Sequence, residues 1–301
     1  MGALLDRGAQ DFLGGCDMHI GLCNVLRYPG GKFKALESIV PIIPRGYREF
    51  REPFVGGGSV FLAAKQNISQ QATYKIGDLS YDLCCFWRCI RDHNQEIYQR
   101  IKAIKNNYRD GRSLFTDLKN LSPKSDLDRA VRFFILNRIT FSGVTDAGGY
   151  SEQSFRFRFT SASIEKIRYL EPVLKGVQIE HASYEKLLFE PGKDVFIFMD
   201  PPYYQQAKSK LYGIKGSLHT TFDHFLFAEN VKKCRHQYLI TLDDSPEIKK
   251  LFSFANVYEW ELQYSMGSFG QRNLTKGREL FISSCRIPAL ERKQLSLLSY
   301  F

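Results

Sequence analysis

The chain has 301 residues, 44% hydrophobic and 25% charged, enough to bury one large core or two modest ones. Its 42 Lys and Arg outnumber 32 Asp and Glu, a formal net charge of +10, which suits a polyanion better than an acidic protein or a neutral metabolite. Apolar runs such as Val195 to Met199 are far shorter than the ~20 residues of a membrane-spanning helix, and seven scattered Cys make no disulfide framework, so a cytoplasmic protein in a reducing compartment is expected.

Residues 1 to 24 carry Asp6, Asp11 and Asp17 and lack the basic-then-apolar pattern of a secretory signal, so they are expected to form a loosely ordered leader. Phe50 to Val55 reads as a strand and Ser59 to Lys65 as the start of a helix, with a Gly-rich turn between them. Ala72 to Gly77 is predicted as a second strand ending at Asp78. Val195 to Met199 is a third, continuously apolar and ending at Asp200. Tyr238 to Leu242 is followed by Asp243 and Asp244, and Asn256 to Tyr264 with Glu279 to Cys285 predicts a closing antiparallel hairpin. These elements imply an α/β sheet with carboxylates at the C-terminal ends of its strands.

More than 110 residues separate the second strand from the third, too many for one crossover, so an inserted domain is expected at about 86 to 175. Residues 25 to 85 and 176 to 301 then make the main domain. The front of the insertion is helical by period: Leu83, Phe86, Trp87 and Ile90; Ile97, Ile101 and Ile104; then Ala130, Val131, Phe134 and Ile135 behind Asp126 as N-cap. Residues 97 to 140 hold ten basic and four acidic residues, and Arg129, Arg132 and Arg138 are candidate phosphate contacts. Phe155, Phe157 and Phe159 alternate with Arg156 and Arg158 in strand period, predicting an edge strand whose basic face meets either solvent or a DNA backbone. Lys208, Lys210 and Lys215 lie in an acid-free stretch, 205 to 221, and either clamp phosphates or belong to a solvated loop.

Two motifs carry the chemistry. In Glu52-Pro53-Phe54-Val55-Gly56-Gly57-Gly58-Ser59, the glycines let backbone and ligand approach closely. Phe61 stands where a dinucleotide fingerprint needs its third glycine, and Gly30-Gly31-Lys32 lacks the rest of a phosphate loop. Asp78, twenty residues after Gly58, is placed to accept the hydroxyls of a ribose or to cap the next helix. In Asp200-Pro201-Pro202-Tyr203, two prolines stiffen the loop and leave carbonyls to accept. An exocyclic amine can then give one hydrogen to Asp200 and one to the Pro201 carbonyl, while Tyr203 offers a face to stack on the base. Cys85, Cys89 and His93 align on a helix but no second cluster completes a metal site, and no Pro-Cys pair supplies the thiolate of a cytosine C5 enzyme. No metal is expected.

With these motifs the chain resembles the Dam-like, D12-class DNA adenine N6-methyltransferases, over most of residues 25 to 285. The resemblance rests on Tyr28-Pro29-Gly30-Gly31-Lys32, on Phe54 to Ser59, on Asp78, on Asp200 to Tyr203 and on the late strand pair up to Ile282, in the order of the family's alpha group. It implies a Rossmann-like methyltransferase sheet with a mainly helical target-recognition insertion. It also implies S-adenosylmethionine held by Tyr28, Pro29, Gly30, Gly31, Lys32, Glu52, Phe54, Gly56, Gly57, Gly58, Ser59, Asp78, Ser183, Tyr184 and Asp200. Many relatives have Asp-Phe where this chain has Ser183-Tyr184, and Thr140 to Phe159 departs from the Asn-Gly-Leu-x-Arg pattern of Dam relatives, so the target site need not be theirs. The implied activity is methylation of a flipped-out adenine in duplex DNA, in a bacterium or from a phage, with a cognate restriction endonuclease as an expected partner. Cytosine N4 or RNA adenine methylation through the same loop, and a silent DNA-binding module, are the alternatives.

Overall fold

A computed structural model describes residues 20–204, 222–264 and 275–292. Lys208, Lys210 and Lys215 lie outside the described residues, as does most of the expected leader. Strand β1 (Glu49–Glu52) leads through the glycine turn into α1 (Ser59–Asn67), and β2 (Thr73–Asp78) leads into α2 (Tyr81–Asp92), whose N-cap Ser80 accepts from the Leu83 backbone N–H. The helices that follow include α3 (Asn94–Asn107), α4 (Gly111–Asn120), α5 (Asp126–Ile139), α6 (Glu152–Arg158) and α7 (Ser161–Arg168). The chain then returns to the sheet with β3 (Gln178–His181), α8 (Tyr184–Phe189), β4 (Val195–Met199), α9 (His224–Lys232), β5 (Gln237–Asp243), β6 (Asn256–Tyr264) and β7 (Thr275–Ser283).

The seven strands are ordered β3-β2-β1-β4-β5-β7-β6, the first five parallel and β7 antiparallel to both of its neighbours. This is the α/β sheet that the strand pattern predicts, with the Rossmann-like character that the family resemblance implies. The order reverses between β1 and β4, and a crevice opens beyond the carboxyl ends of strands at such a switch point. Glu52, Asp78 and Asp200 all end there. β4 is apolar throughout because both faces are covered. Phe196 and Phe198 join the core shared with the helices between β2 and β3, while Val195, Ile197 and Met199 pack in a second core with Phe227 of α9 and Leu280 of β7.

Three expectations are corrected. The segment predicted as an edge strand around Phe155 to Phe159 is a helix, α6, capped by the Ser151 hydroxyl accepting from Ser154 N–H. Aromatics four apart also share a helix face: Phe155 and Phe159 are buried together at 6.3 Å, Phe157 is 69% exposed, and Arg156 pairs with Glu152 one turn earlier at 2.5 Å. The cap of α5 is Ser125 and Asp126 is its first residue. Edge strand β3, only four residues long with alternating burial, escaped the sequence pattern. The boundary expected at residue 86 falls inside α2, and one core joins Phe50 and Ile76 of the sheet to Trp87, Leu114 and Phe134 of the helices. No helix among the described residues is long and apolar enough to cross a membrane.

Candidate active site

At the switch point a cavity is lined by the glycine turn, by Tyr28 to Lys32 and by Asp200 to Tyr203, with Glu52, Asp78, Tyr184 and Phe222 between them. The turn is tied to β2 by Val55 N–H donating to the Gly77 carbonyl at 2.9 Å and Gly56 N–H donating to Asp78 Oδ2 at 3.2 Å. Gly58 has φ +70°, and a Cβ there would stand 2.6 Å from the Phe61 ring and 2.7 Å from the Trp87 indole, so only glycine fits. The Tyr28 ring lies against the same turn, 2.9 Å from where a Gly56 Cβ would be. Ser59 faces inward and donates to the Cys23 carbonyl.

Asp78 Oδ1 accepts from Ser80 N–H at 2.9 Å. Burial raises its carboxyl above the usual range, and the backbone donors of Ser80, Gly56 and Leu79 oppose that. Phe54 stacks on Tyr184 at 5.4 Å with 21° between the planes, Phe222 meets Phe54 edge-on, and the Tyr184 hydroxyl accepts from Asn230 at 2.9 Å. This makes an aromatic slot beside Asp78. Ser183 is exposed, its hydroxyl donates to Glu185, and it does not line the cavity.

Asp200 is held from two sides. Lys32, buried although charged, places Nζ 2.8 Å from each carboxylate oxygen and also donates to the Gly30 carbonyl. Thr241 on β5 donates to Asp200 Oδ1 at 2.8 Å. The same Lys32 Nζ stands 4.8 Å from the centroid of the Tyr203 ring. Further along the loop His224 Nε2 donates to the Pro202 carbonyl at 2.7 Å, and Tyr204 N–H donates to Asp243 Oδ1 at 2.7 Å. Glu52 is fully buried; burial first, and then the charge of Asp200, hold its carboxyl well above the usual range, against the pull of Lys32. Its Oε2 has no hydrogen-bond partner among the described residues. The cavity therefore combines backbone donors, an aromatic slot, a strand-end carboxylate and an unfilled acceptor, a donor set suited to a cationic nucleoside.

The family model of the D12 class N6 adenine-specific DNA methyltransferases matches residues 28–266, a span that includes the cavity lining from Tyr28 to Phe222. The chain belongs to this D12 class of N6 adenine-specific DNA methyltransferases. Its reaction is site-specific methylation of adenine N6 in DNA. Relatives are distant in sequence. The chain is similar to the Type II methyltransferase M1.LlaDCHI of Lactococcus lactis subsp. cremoris, 22% identical over 83% of this chain and 91% of the relative. It is similar to the Type II methyltransferase M.CviBI of Paramecium bursaria Chlorella virus NC1A, at 24% over 80% and 90%. The DNA adenine methylase of Vibrio cholerae serotype O1 is 26% identical over 59% and 64%.

In this D12-class chain the fold brings together every expected cofactor residue except Ser183, and all four residues expected to form the catalytic loop. The basic residues fare differently. Arg138 is turned inward, 5% exposed, donating to the Val25 carbonyl, and burial beside Arg27 and Arg158 lowers its pKa to about 9. It is not a phosphate contact. Arg129 and Arg132 both pair with Asp82, and Arg132 also donates to the Leu118 carbonyl. Arg156 and Arg158 are exposed on α6. The thiols of Cys85 and Cys89 are buried, and burial pushes them up to about 12 and about 11, which leaves them unreactive. Among the described residues no group of three or more His, Cys, Asp or Glu could hold a metal. Sequence reasoning missed Thr241 and His224, because each meets the loop after β4 from an element remote in the chain.

Proposed function

We propose that the cavity binds S-adenosylmethionine and that the loop from Asp200 to Tyr203 receives an adenine flipped out of duplex DNA. The observation that carries this is the convergence, at one switch point, of the Gly56–Gly58 turn, Asp78 and the Asp200 loop. S-adenosylmethionine supplies a methyl group on a sulfonium, already activated for displacement. Asp78 is assigned the ribose hydroxyls and the Phe54–Tyr184 slot the adenine of the cofactor. Glu52 Oε2 is assigned the cofactor's α-ammonium, a cation suited to a buried acceptor that lacks a partner.

For the target base, Asp200 and the Pro201 carbonyl each accept one N6 hydrogen, which turns the nitrogen lone pair towards the methyl carbon. Lys32 lies 2.8 Å from both Asp200 oxygens and Thr241 also donates to Oδ1, so Oδ2 retains room for a further donor. The N6–carbon bond forms as the sulfur–carbon bond breaks, and N6 then loses one hydrogen as a proton. No side chain becomes covalently attached. The inserted helices are assigned target recognition, with Arg156 and Arg158 on the backbone. A cognate restriction endonuclease is proposed as functional partner.

The test is to express the chain in a methylation-free host and analyse nucleosides by liquid chromatography and mass spectrometry, then map modified positions by sequencing. N6-methyladenine in one short sequence context, lost in Asp200→Ala, is expected. N4-methylcytosine, or modification confined to RNA, would overturn the assignment of the target pocket.

A further inference from the structure

Lys32 is a charged side chain that folding has taken out of water, 4% exposed at the head of a single 3-10 turn, Lys32–Ala35. A buried ammonium is costly unless it is paired, so its partners show what it is there for. It has three N–H donors and no acceptor. The Gly30 carbonyl accepts at 2.8 Å, the Asp200 carboxylate lies 2.8 Å away at each oxygen, and the Tyr203 ring stands 4.8 Å from Nζ at its centroid. Three donors meet three partners, which leaves none for a cofactor. The ammonium is bonded to Asp200 and not to Glu52, whose Oε2 has no partner among the described residues.

Thr241 by itself holds Asp200 at Oδ1 alone, about which the carboxylate could turn. An ammonium against both oxygens fixes the plane. Lys32 is in turn placed by backbone: Gly31 N–H donates to the Tyr28 carbonyl at 2.9 Å, with Gly30 at φ +72°. Tyr28 at one end of that turn packs on Gly56 and Gly57, and Lys32 at the other end reaches the loop after β4.

We propose that Lys32 is a positioning residue for the target adenine and not a contact of S-adenosylmethionine: one ammonium fixes the plane of the carboxylate that accepts from N6 and steadies the ring on which the base rests. The inference rests on the assignment of Asp200 and Tyr203 to the target base made above. Core packing already holds the Tyr203 ring, so the larger part of the effect passes through Asp200. Two of the cofactor's charged groups, the sulfonium and the α-ammonium, are cations and no partner for Lys32. Its carboxylate could take a bond from Lys32 only by displacing one of the three partners already there. The segment from Tyr28 to Lys32 is thereby divided between the two substrates, Tyr28 serving the cofactor side and Lys32 the base.

The experiment is single-turnover methylation of a duplex carrying the mapped site by wild type, Lys32→Met, Lys32→Arg, Asp200→Asn and the double variant of Lys32→Met with Asp200→Asn. Affinities for S-adenosylhomocysteine and DNA are measured on the same preparations. Lys32→Met should slow the step ~100-fold while cofactor affinity stays within ~3-fold. Lys32→Arg keeps a cation able to span both oxygens and should recover to within ~10-fold of wild type. In the Asp200→Asn background Lys32→Met should cost no more than ~3-fold further, because both changes break one interaction. Lys32→Gln, a neutral donor that serves one oxygen only, makes the same comparison should the Met variant fail to fold. A fall of tenfold or more in S-adenosylhomocysteine affinity, a rate within ~3-fold of wild type in the neutral variant, or losses that multiply in the double variant would overturn the inference. A wild type that binds DNA yet makes no N6-methyladenine would instead overturn the reading on which it rests.

Discussion

Asp200 takes its two donors from parts of the chain far apart, Lys32 near the start and Thr241 on β5, and so arrives at the cavity already oriented. Asp200→Asn keeps the shape but offers the target amine a weaker acceptor, so turnover should fall ~100-fold or more while S-adenosylhomocysteine still binds. A rate within tenfold of wild type would exclude the carboxylate as the orienting group. Glu52 makes a prediction of the opposite kind. With its carboxyl held protonated by burial and by Asp200, placing a cofactor ammonium beside it favours the ionised form, so binding should release a proton. Affinity for S-adenosylhomocysteine should then rise with pH in wild type and stay flat in Glu52→Gln. Calorimetry in buffers of different ionisation enthalpy reads the proton directly; no release would move the ammonium elsewhere.

At the scale of elements, the strand-turn-helix unit from Glu49 to Asn67 depends on one backbone conformation. Gly58→Ala forces a left-handed φ on alanine and drives a methyl into Phe61 and Trp87, so it should cost on the order of 1 to 3 kcal/mol and weaken cofactor binding with it. Thermal denaturation with and without S-adenosylhomocysteine separates the two effects, and an unchanged Tm would show that the turn relaxes freely. Helix α6 gives the complementary lesson. Alternating Phe and Arg satisfy a strand face by twos and a helix face by fours, and the sequence holds both patterns. Ser151 at the cap, the Glu152–Arg156 pair and burial of Phe155 with Phe159 select the helix.

Over the whole molecule, charge is redistributed by folding. The basic excess of residues 97 to 140 is partly met by acids, Asp82 on Arg129 and Arg132 and Asp128 on Arg100, while Arg138 is removed from the surface altogether. Charge-to-Gln changes should therefore differ in their effect on the salt dependence of DNA binding. Replacing Arg156 and Arg158 together should flatten the slope by up to ~0.9 for each phosphate no longer neutralised, and Arg138→Gln should leave it unchanged. If Arg138→Gln alone flattens the slope, the DNA backbone is met at α5 and not at Arg156 and Arg158 on α6.

The sheet and most of the cavity were legible in the sequence because both are local: β4 is apolar from end to end since parallel strands are covered on both faces, and Gly56–Gly58, Asp78 and Asp200 follow directly on the strands that present them. The family resemblance rests on those same contiguous motifs. Edge strand β3 was not legible, being too short to show a period, nor was α6, where two periods coincide. Only the tertiary structure decided which charges face outward, because Arg129, Arg132 and Arg138 look alike in sequence and their partners, Asp82 and the Val25 carbonyl, come from other elements. It also decided what stands beside Asp200. Thr241 reaches it only because β4 and β5 are paired side by side, and a pairing between strands so far apart in the chain is fixed by the hydrogen-bonded sheet and not by any local spacing.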